Sequence, residues 1–405
     1  MSDIAVDVLD SQIAVEAPSR TAIALVTLAL AVGSFGIGTG EFVIMGLLPN
    51  VADTFGVTTP EAGHVISAYA LGVVVGAPVI AVLAAKMARR TLLLLMMAIF
   101  AAGNISSAFA PTYASFAALR FITGLPHGAY FGVAALVAAS MVPVHRRVRA
   151  VGQVMLGLTI ATLVGTPIAT FLGQVLEWRA AFMMVGGVGL VTMLLIALFL
   201  PKDKVEEGAS ITRELGALKR VQIWLTLGIA AVGFGGMFSI FSYVATTTTQ
   251  VAGLGAGMVP VVLALFGIGM NVGNIVGSRL GDISIKGTIG GMMIFNIIAM
   301  TLFSLTAANP IMLCVCVFLI GCGFAACPAV QTRLMDVAAD AQTLAAASNH
   351  SAFNIANALG AWLGGMVIAW GFTAAATGYV GAVLSVAGLA IFAVSVGLER
   401  RTGHA

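Results

Sequence analysis

The sequence predicts an all-α membrane protein with twelve transmembrane helices in two six-helix halves. Three observations predict this fold: the composition, the number of long apolar runs, and a repeat that relates the halves. Of the 405 residues, 60% are hydrophobic and only 9% are charged, and the mean hydropathy is +1.07. Soluble globular proteins carry about 25% charged residues. So few charges cannot cover a water-facing surface, which excludes a soluble fold.

Twelve apolar segments are long enough to cross a bilayer, which takes roughly 20 helical residues. The predicted spans are 22–47, 64–85, 91–110, 113–141, 150–175, 179–200, 221–246, 257–278, 288–308, 310–330, 343–370 and 374–398. The polar connection 201–220 divides the chain into an N-terminal bundle, 21–200, and a C-terminal bundle, 221–400. Segment 1–20 lacks the basic start and apolar core of a signal peptide, so we expect it to be a cytoplasmic tail.

Basic residues are distributed unevenly between the two sides of the predicted spans. Of the 19 Lys and Arg residues, all but Arg120 and Arg179 lie in the tails or in loops on the side of connection 201–220. Positively charged loops stay in the cytoplasm. We therefore expect both termini to be cytoplasmic.

Parts of the N-terminal half recur at a nearly constant distance in the C-terminal half. Segment 120–124 corresponds to 317–321, and loop 83–90 corresponds to 280–287, both at an offset of 197 residues. In the fifth and eleventh spans, Gly165 corresponds to Gly360. The steady offset indicates a duplicated bundle. Duplicated transporters bind substrate near the membrane midplane, between halves that move against each other.

Four stretches resemble one family of membrane proteins. They are TGEFVIMGLLPNVA at 39–52, SAYALGVVVGAPVIAVLAAKMARRTLLL at 67–94, LRFITGLPHGAYFGVA at 119–134 and GLTIATLVGTPIATFLGQVLEWRAAF at 157–182. The chain resembles the major facilitator superfamily over residues 20–400. Within it, the chain is most similar to the drug:proton antiporter group, the arabinose-efflux and chloramphenicol-efflux type of exporter.

The resemblance implies a proton-coupled secondary transporter in the inner membrane. It would export a drug such as chloramphenicol or a sugar such as arabinose by alternating access, as a monomer, with protons and lipid as its other partners. A proton-coupled importer and an uncoupled facilitator or receptor are the alternatives. We expect no enzymatic activity, no cofactor beyond the proton gradient, no metal site and no nucleic-acid partner. The sequence has no phosphate loop, which argues against an ATP-driven pump.

Two motifs of the resembled family are present in altered form. Loop 83–90 is similar to the Gly-x-Leu-Ala-Asp-Arg-x-Gly-Arg segment that latches the halves in the outward-open state, but Ala85 stands at the acidic position. Its basic residues remain, as do an acid and a base in the second copy, so we expect a one-sided latch. The latch residues are Lys86, Arg89, Asp282 and Lys286. The fifth span resembles the antiporter motif, which favours export, through Gly157, Gly165, Pro167 and Gly173.

Glu41 is the one acid that we place inside a predicted span. A carboxylate in hydrocarbon costs several kcal/mol unless it is protonated, paired or facing water. Arg120 lies at a similar predicted depth, and the resembled family ties the arginine of this span to proton coupling. We expect Arg120 to hold Glu41 ionised in one state and release it in another; a static salt bridge is the alternative. His64, at the outer start of the second span, would relay the proton or only hydrogen-bond at the cavity mouth.

Several polar and aromatic residues are candidates for contact with substrate. His127 follows Arg120 by two helical turns on the same face and is predicted to lie deeper in the cavity. The C-terminal half offers amides, which would bind substrate or join helices: Asn271, Asn274, Asn354 and Asn357. Phe234 and Phe238 share a stripe of the seventh span and would stack on substrate or pack. We expect His350 to be hydrated near the cytoplasmic end.

Overall fold

The computed structural model describes residues 19–203, 210–339 and 341–402. Within these residues, 12 helices are long and apolar enough to cross a membrane. Numbered in chain order as spans one to twelve, they are Arg20–Phe55, His64–Leu83, Arg89–Ala108, Tyr113–Ser140, Val144–Val175, Trp178–Phe199, Val221–Val251, Val259–Ile283, Ile285–Thr306, Pro310–Ala338, Gln342–Ala369 and Ala374–Arg401. The predicted twelve-helix fold is confirmed. The predicted tail, 1–20, lies almost wholly outside the described residues.

Span one departs most from its predicted bounds, because the helix continues past the apolar run to Phe55. Ser19 caps its start by accepting a hydrogen bond from the Ala22 N–H at 3.1 Å. Gly56 ends it at a φ of 65°, a left-handed conformation that glycine adopts without a steric penalty. Hydropathy marks only the apolar part of a helix, so it missed the polar last turns.

Spans five and seven contain π-helical turns, at Ala161–Gly165, Ile229–Gly233 and Thr247–Val251. Such turns are rare and occur frequently at functional sites. In span five the turn is followed by Pro167, which lacks the N–H that a regular helix would use. Both irregular spans border the space between the two halves.

The two halves repeat in their contacts as well as in their sequence. In the N-terminal half, Gly72 of span two packs against the carbonyl oxygen of Phe121 in span four. In the C-terminal half, Gly269 of span eight packs in the same way against Phe318 of span ten, and both residues lie 197 positions after their counterparts. A side chain at either glycine would collide with the facing backbone. The duplication predicted from the sequence is thus reproduced as a repeated helix crossing.

The halves meet closely on the side of the membrane that carries connection 201–220, which we call the loop face. Span four crosses span eleven where a Cβ on Gly132 would lie 2.5 Å from the backbone nitrogen of Ala347. Span five approaches span eight where a Cβ on Gly152 would lie 2.5 Å from the Cβ of Ser278. Glycine at these crossings lets helices of opposite halves touch almost backbone to backbone.

The connection between the halves also contacts both of them. It contains a short helix, Ile211–Ala217. The Asp203 carboxylate accepts a hydrogen bond from the Arg89 N–H at the start of span three, at 2.7 Å. The Glu214 carboxylate accepts one from the Leu344 N–H at the start of span eleven, at 2.9 Å. Burial raises the pKa of Glu214 above its ordinary value.

Candidate functional site

A cavity of about 560 Å³ lies between the two halves. It extends from the middle of the bundle toward the face opposite the loop face. Phe171 and Gln174, near the outer end of span five, line its mouth, and both side chains are exposed. Met155 and Cys327 lie at its inner end, and both are buried. The cavity is therefore open on the opposite face and closed toward the loop face. Its volume suits a drug-sized ligand.

The cavity lining is dominated by aromatic and sulfur-containing side chains. It includes seven phenylalanines and four methionines. Among the described residues that line it, Glu41 is the only one with a formal charge, and it is partly exposed. Such a surface binds apolar groups by burying them and adapts to different shapes through its methionines.

Arg120 is fully buried beside Glu41 but does not pair with it in this conformation. Its Nη1 donates a hydrogen bond to the carbonyl oxygen of Gly40 at 2.9 Å, and the guanidinium lies 4.4 Å from the centre of the Tyr69 ring. Within the described chain, no ion pair joins it to Glu41, and its Nε and Nη2 have no hydrogen-bond partner. The exchange of partners expected for these two residues stays a prediction.

His64 lies apart from this arrangement. It begins span two, its side chain is exposed, and it is outside the cavity lining. The neighbouring Glu61 accepts hydrogen bonds from the Thr58 N–H and hydroxyl, both at 2.8 Å, and these bonds lower the pKa of Glu61. Among the described residues, His64 and Glu41 thus do not line the same cavity. The structure gives no support to the predicted proton relay from His64.

His127 lines the cavity and meets a second histidine from the other half. Its Nδ1 lies 3.0 Å from the Tyr69 hydroxyl, and its ring centre lies 5.3 Å from that of His350. The expectation that His350 is hydrated was wrong, because this residue is only 3% exposed. It lies about two turns inside span eleven, where Phe131 of span four covers its ring.

The four asparagines divide into two pairs. Asn354 and Asn357 line the cavity, as the substrate-contact prediction requires. Asn271 and Asn274 are outside the lining and face span five instead. Asn271 accepts a hydrogen bond from the Thr159 hydroxyl at 2.8 Å, and Asn274 donates to a backbone carbonyl of span five at 2.7 Å. Spans five and eight belong to different halves, so the structure gives these two amides an inter-half role in place of the predicted substrate contact.

The two phenylalanines of span seven also separate. Phe238 lines the cavity. Phe234 is 1% exposed and packs edge to face against Phe353, with ring centres 4.8 Å apart. It lies one turn closer to the loop face, where the halves have closed over the cavity. The structure therefore corrects its assignment: Phe234 is part of the apolar core.

The sequence matches the Major Facilitator Superfamily over residues 30–347. The chain belongs to the major facilitator superfamily. It is thus a multi-pass membrane transporter and not an enzyme.

Three relatives cover most of the chain. The inner membrane transport protein YdhP of Escherichia coli is 39% identical over 375 residues, which is 92% of this chain and 96% of that protein. The putative transporter AraJ of Escherichia coli is 32% identical, over 85% of this chain and 88% of that protein. The chloramphenicol resistance protein of Streptomyces lividans is also 32% identical, over 82% and 86%. These relatives fit the predicted exporter group.

Solved structures share the fold at low sequence identity. The proton:xylose symporter XylE aligns with a TM-score of 0.69 and 16% identity, over 92% of this chain and 95% of that one. The Escherichia coli fucose:proton symporter FucP aligns with a TM-score of 0.73 and 14% identity, over 91% and 98%. At such identities the likeness shows the major facilitator fold alone.

The loop-face contact of this major facilitator protein includes two ion pairs between its halves. Oδ2 of Asp282 lies 3.3 Å from the Arg149 Nε, and Oδ1 accepts a hydrogen bond from the Arg149 N–H at 3.1 Å. Arg147 and Asp336 form the second pair, at 3.5 Å. Asp282 was predicted as a latch residue but its partner was not, because Arg149 lies near the start of span five, outside the latch loop that the family resemblance pointed to.

The other predicted latch residues have different surroundings. Lys86 is exposed on the loop face. Arg89 begins span three, where its N–H binds Asp203. Lys286 pairs with Glu399 at 2.7 Å inside the C-terminal half. Asp282 therefore joins the halves, whereas the ion pair of Lys286 stays within one of them.

The residues of the antiporter motif lie between span five and span one. Gly157 packs against the carbonyl oxygen of Ala31, Gly165 against Thr39, and Gly173 against a leucine of span one. Pro167 lines the cavity. The motif thus brings the irregular span five against the helix that carries Glu41.

Proposed function

We propose that this protein is a proton-coupled secondary transporter that exports small, largely apolar organic molecules across the inner membrane by alternating access. The observation that supports this proposal best is the cavity between the halves, with its aromatic and methionine lining and with Glu41 as the one formal charge among the described lining residues. We place the loop face in the cytoplasm. The cavity then opens to the outside, which is the state from which an exporter releases substrate. We further propose that one chain works alone.

The lining favours a drug-like molecule over a sugar. Each sugar hydroxyl that loses water must find a new hydrogen-bond partner. Most of the lining is apolar, and its hydrogen-bonding side chains are Glu41, two asparagines, two histidines, three threonines and Gln174. The name of the relative described as a chloramphenicol resistance protein supports a drug as the substrate. Sugar export is the second candidate, supported by the two cavity asparagines and by the relative named a probable sugar efflux transporter, at 28% identity.

Glu41 is the proposed proton carrier. A carboxylate among apolar side chains is costly unless it is protonated, paired or hydrated. Movement of the halves changes the access of water to the cavity, so a proton would be taken up or released at Glu41 as substrate leaves or enters. The partnerless nitrogens of the adjacent Arg120 would supply a counter-charge in another conformation.

The test uses everted inner-membrane vesicles energised to an acidic interior, with chloramphenicol added outside and a fluorescent pH probe inside. Proton antiport predicts that chloramphenicol makes the interior more alkaline. This response should vanish in Glu41→Gln and persist in Glu61→Gln, since Glu61 is exposed outside the cavity. Acidification would indicate import by symport instead. Transport without any pH response would indicate the uncoupled alternative, and an unchanged response in Glu41→Gln would refute the role of Glu41.

A further inference from the structure

One histidine from each half meets the other at the inner end of the cavity. His127 comes from span four and His350 from span eleven, and their ring planes are tilted by 53° at a centre-to-centre distance of 5.3 Å. Both side chains line the cavity, and they are only 2% and 3% exposed. We call these two residues the histidine pair.

Neighbouring aromatic residues hold both rings in place. The Tyr69 hydroxyl lies 3.0 Å from Nδ1 of His127. Phe131 stacks on His350 with ring centres 4.2 Å apart and planes inclined by 18°. Phe353 approaches the same ring with a centre-to-centre distance of 6.0 Å. The orientation of the pair is therefore fixed by packing before any ligand arrives.

One buried ring nitrogen of the pair has no hydrogen-bond partner among the described residues. Nε2 of His350 is buried, and it neither donates nor accepts a hydrogen bond among the described residues. A buried polar atom without a hydrogen-bond partner is destabilising, and most such atoms in proteins are paired. The cost is removed if a ligand in the cavity supplies the missing partner.

We propose that the histidine pair is a hydrogen-bonding subsite for a hydroxyl group of the transported molecule. A neutral imidazole offers one donor and one acceptor nitrogen. A hydroxyl both donates and accepts, so it is suited to bridge the two rings. The phenylalanines and methionines further out would enclose the apolar body. The substrate class is thus a lipophilic alcohol or phenol whose hydroxyl points toward the inner end of the cavity.

This inference deepens the proposed function and rests on its apolar substrate class, but not on proton coupling. It also gives the two halves a shared task, because each contributes one ring. A hydroxyl that bridges both rings requires them to be close together, as they are in the conformation with the loop face closed.

The experiment compares 4-phenylphenol with biphenyl, which has the same apolar body and no hydroxyl. Binding to the purified full-length protein in detergent is measured by equilibrium dialysis against protein-free detergent, with thermal stabilisation as a second readout. We expect wild type to bind 4-phenylphenol about tenfold more tightly than biphenyl, because each of the two hydrogen bonds contributes a net factor of about three. Equal binding of the two probes, or no binding of 4-phenylphenol, would overturn the proposal without any variant.

Variants then assign the preference to the pair. His350→Phe keeps an aromatic ring for Phe131 and removes both nitrogens of that ring, so the preference should fall to about threefold, the part contributed by the remaining bond to His127. His350→Gln restores a donor and an acceptor, so it should recover part of the preference for 4-phenylphenol. If His350→Phe does not fold, His127→Phe is a second variant that removes one imidazole ring of the pair. His145→Phe, on an exposed loop-face residue, should keep the full preference. A preference unchanged in the folded loss variants would overturn the subsite.

The binding assay contains no proton gradient, so its outcome is independent of the vesicle assay. A lasting preference for 4-phenylphenol together with a failed vesicle test would remove proton coupling and leave the subsite. A normal vesicle response to chloramphenicol together with equal binding of the two probes would remove the subsite and leave proton coupling.

Discussion

The ion pair between Arg149 and Asp282 allows a quantitative prediction about how firmly the loop face is closed. The perturbation is Asp282→Asn, which removes the charge and keeps an oxygen for the Arg149 N–H. The two residues belong to different halves, and the Asp282 side chain is 7% exposed whereas that of Arg149 is 48% exposed. The substitution should therefore weaken the closed conformation and leave the fold of each half unchanged.

The magnitude follows from the two contacts that Asp282 makes. A hydrogen bond to a charged group contributes about 1.5–3 kcal/mol and is roughly twice as strong as a neutral one, so replacing the carboxylate by an amide loses about 1 kcal/mol. The ion pair with half-exposed Arg149 is screened by water and adds about 0.5 kcal/mol. The total of about 1.5 kcal/mol corresponds to a shift of about tenfold toward conformations with the loop face open.

The assay is double electron–electron resonance between nitroxides at Leu83→Cys and Ile283→Cys, in a background whose native cysteines are replaced. These positions are 72% and 83% exposed and lie on opposite halves at the loop face. Asp282→Asn should add a population at longer distance. The matched control is Asp336→Asn, whose ion pair is longer and whose carboxylate is more exposed, so this substitution should change the distances less. A distance distribution identical to wild type, or a larger effect in the control, would refute the reasoning.

Three further predictions concern packing and pH. Gly132→Ala places a Cβ 2.5 Å from a facing backbone nitrogen and should cost about 1–3 kcal/mol in thermal unfolding, whereas Gly187→Ala, with open space around it, should cost almost nothing. Phe234→Ala should lose about 3–5 kcal/mol of stability, while Phe238→Ala should mainly weaken binding of an apolar ligand such as biphenyl. Burial raises the pKa of Glu214 in the fold, so the stability that this residue gives to the docked connection is present at low pH and is lost as pH rises through the raised pKa. The rate of proteolysis of the connection should therefore increase over that pH range, and Glu214→Gln should make this rate less dependent on pH.

The energies of these contacts bear on how the transporter would switch. The two inter-half ion pairs are partly exposed, and exposed pairs contribute little individually. Glycine crossings such as Gly132 on Ala347 give close contact without interlocking side chains. A closure made of several weak contacts is reversible, which alternating access requires.

The sequence alone was sufficient for the class of fold and the family. The spans follow from hydropathy, because a bilayer demands about 20 apolar residues wherever it is crossed, and the duplication follows from the constant offset. Glu41 and His127 were identified as cavity residues because a charged or titratable side chain is rare in an apolar helix. His350 precedes Asn354 and Asn357 by one and two helical turns, a polar stripe that would have placed it in the cavity.

Tertiary structure alone decided what each polar side chain touches. Asn271 and Asn354 are indistinguishable in sequence, yet one joins the halves and the other lines the cavity. Arg120 binds a backbone oxygen beside Glu41 instead of its carboxylate, and Asp282 binds Arg149, 133 residues away along the chain. Hydropathy and spacing report how a residue relates to its own helix and to the membrane. The partner of a side chain depends on how two halves, distant in sequence, are oriented against each other.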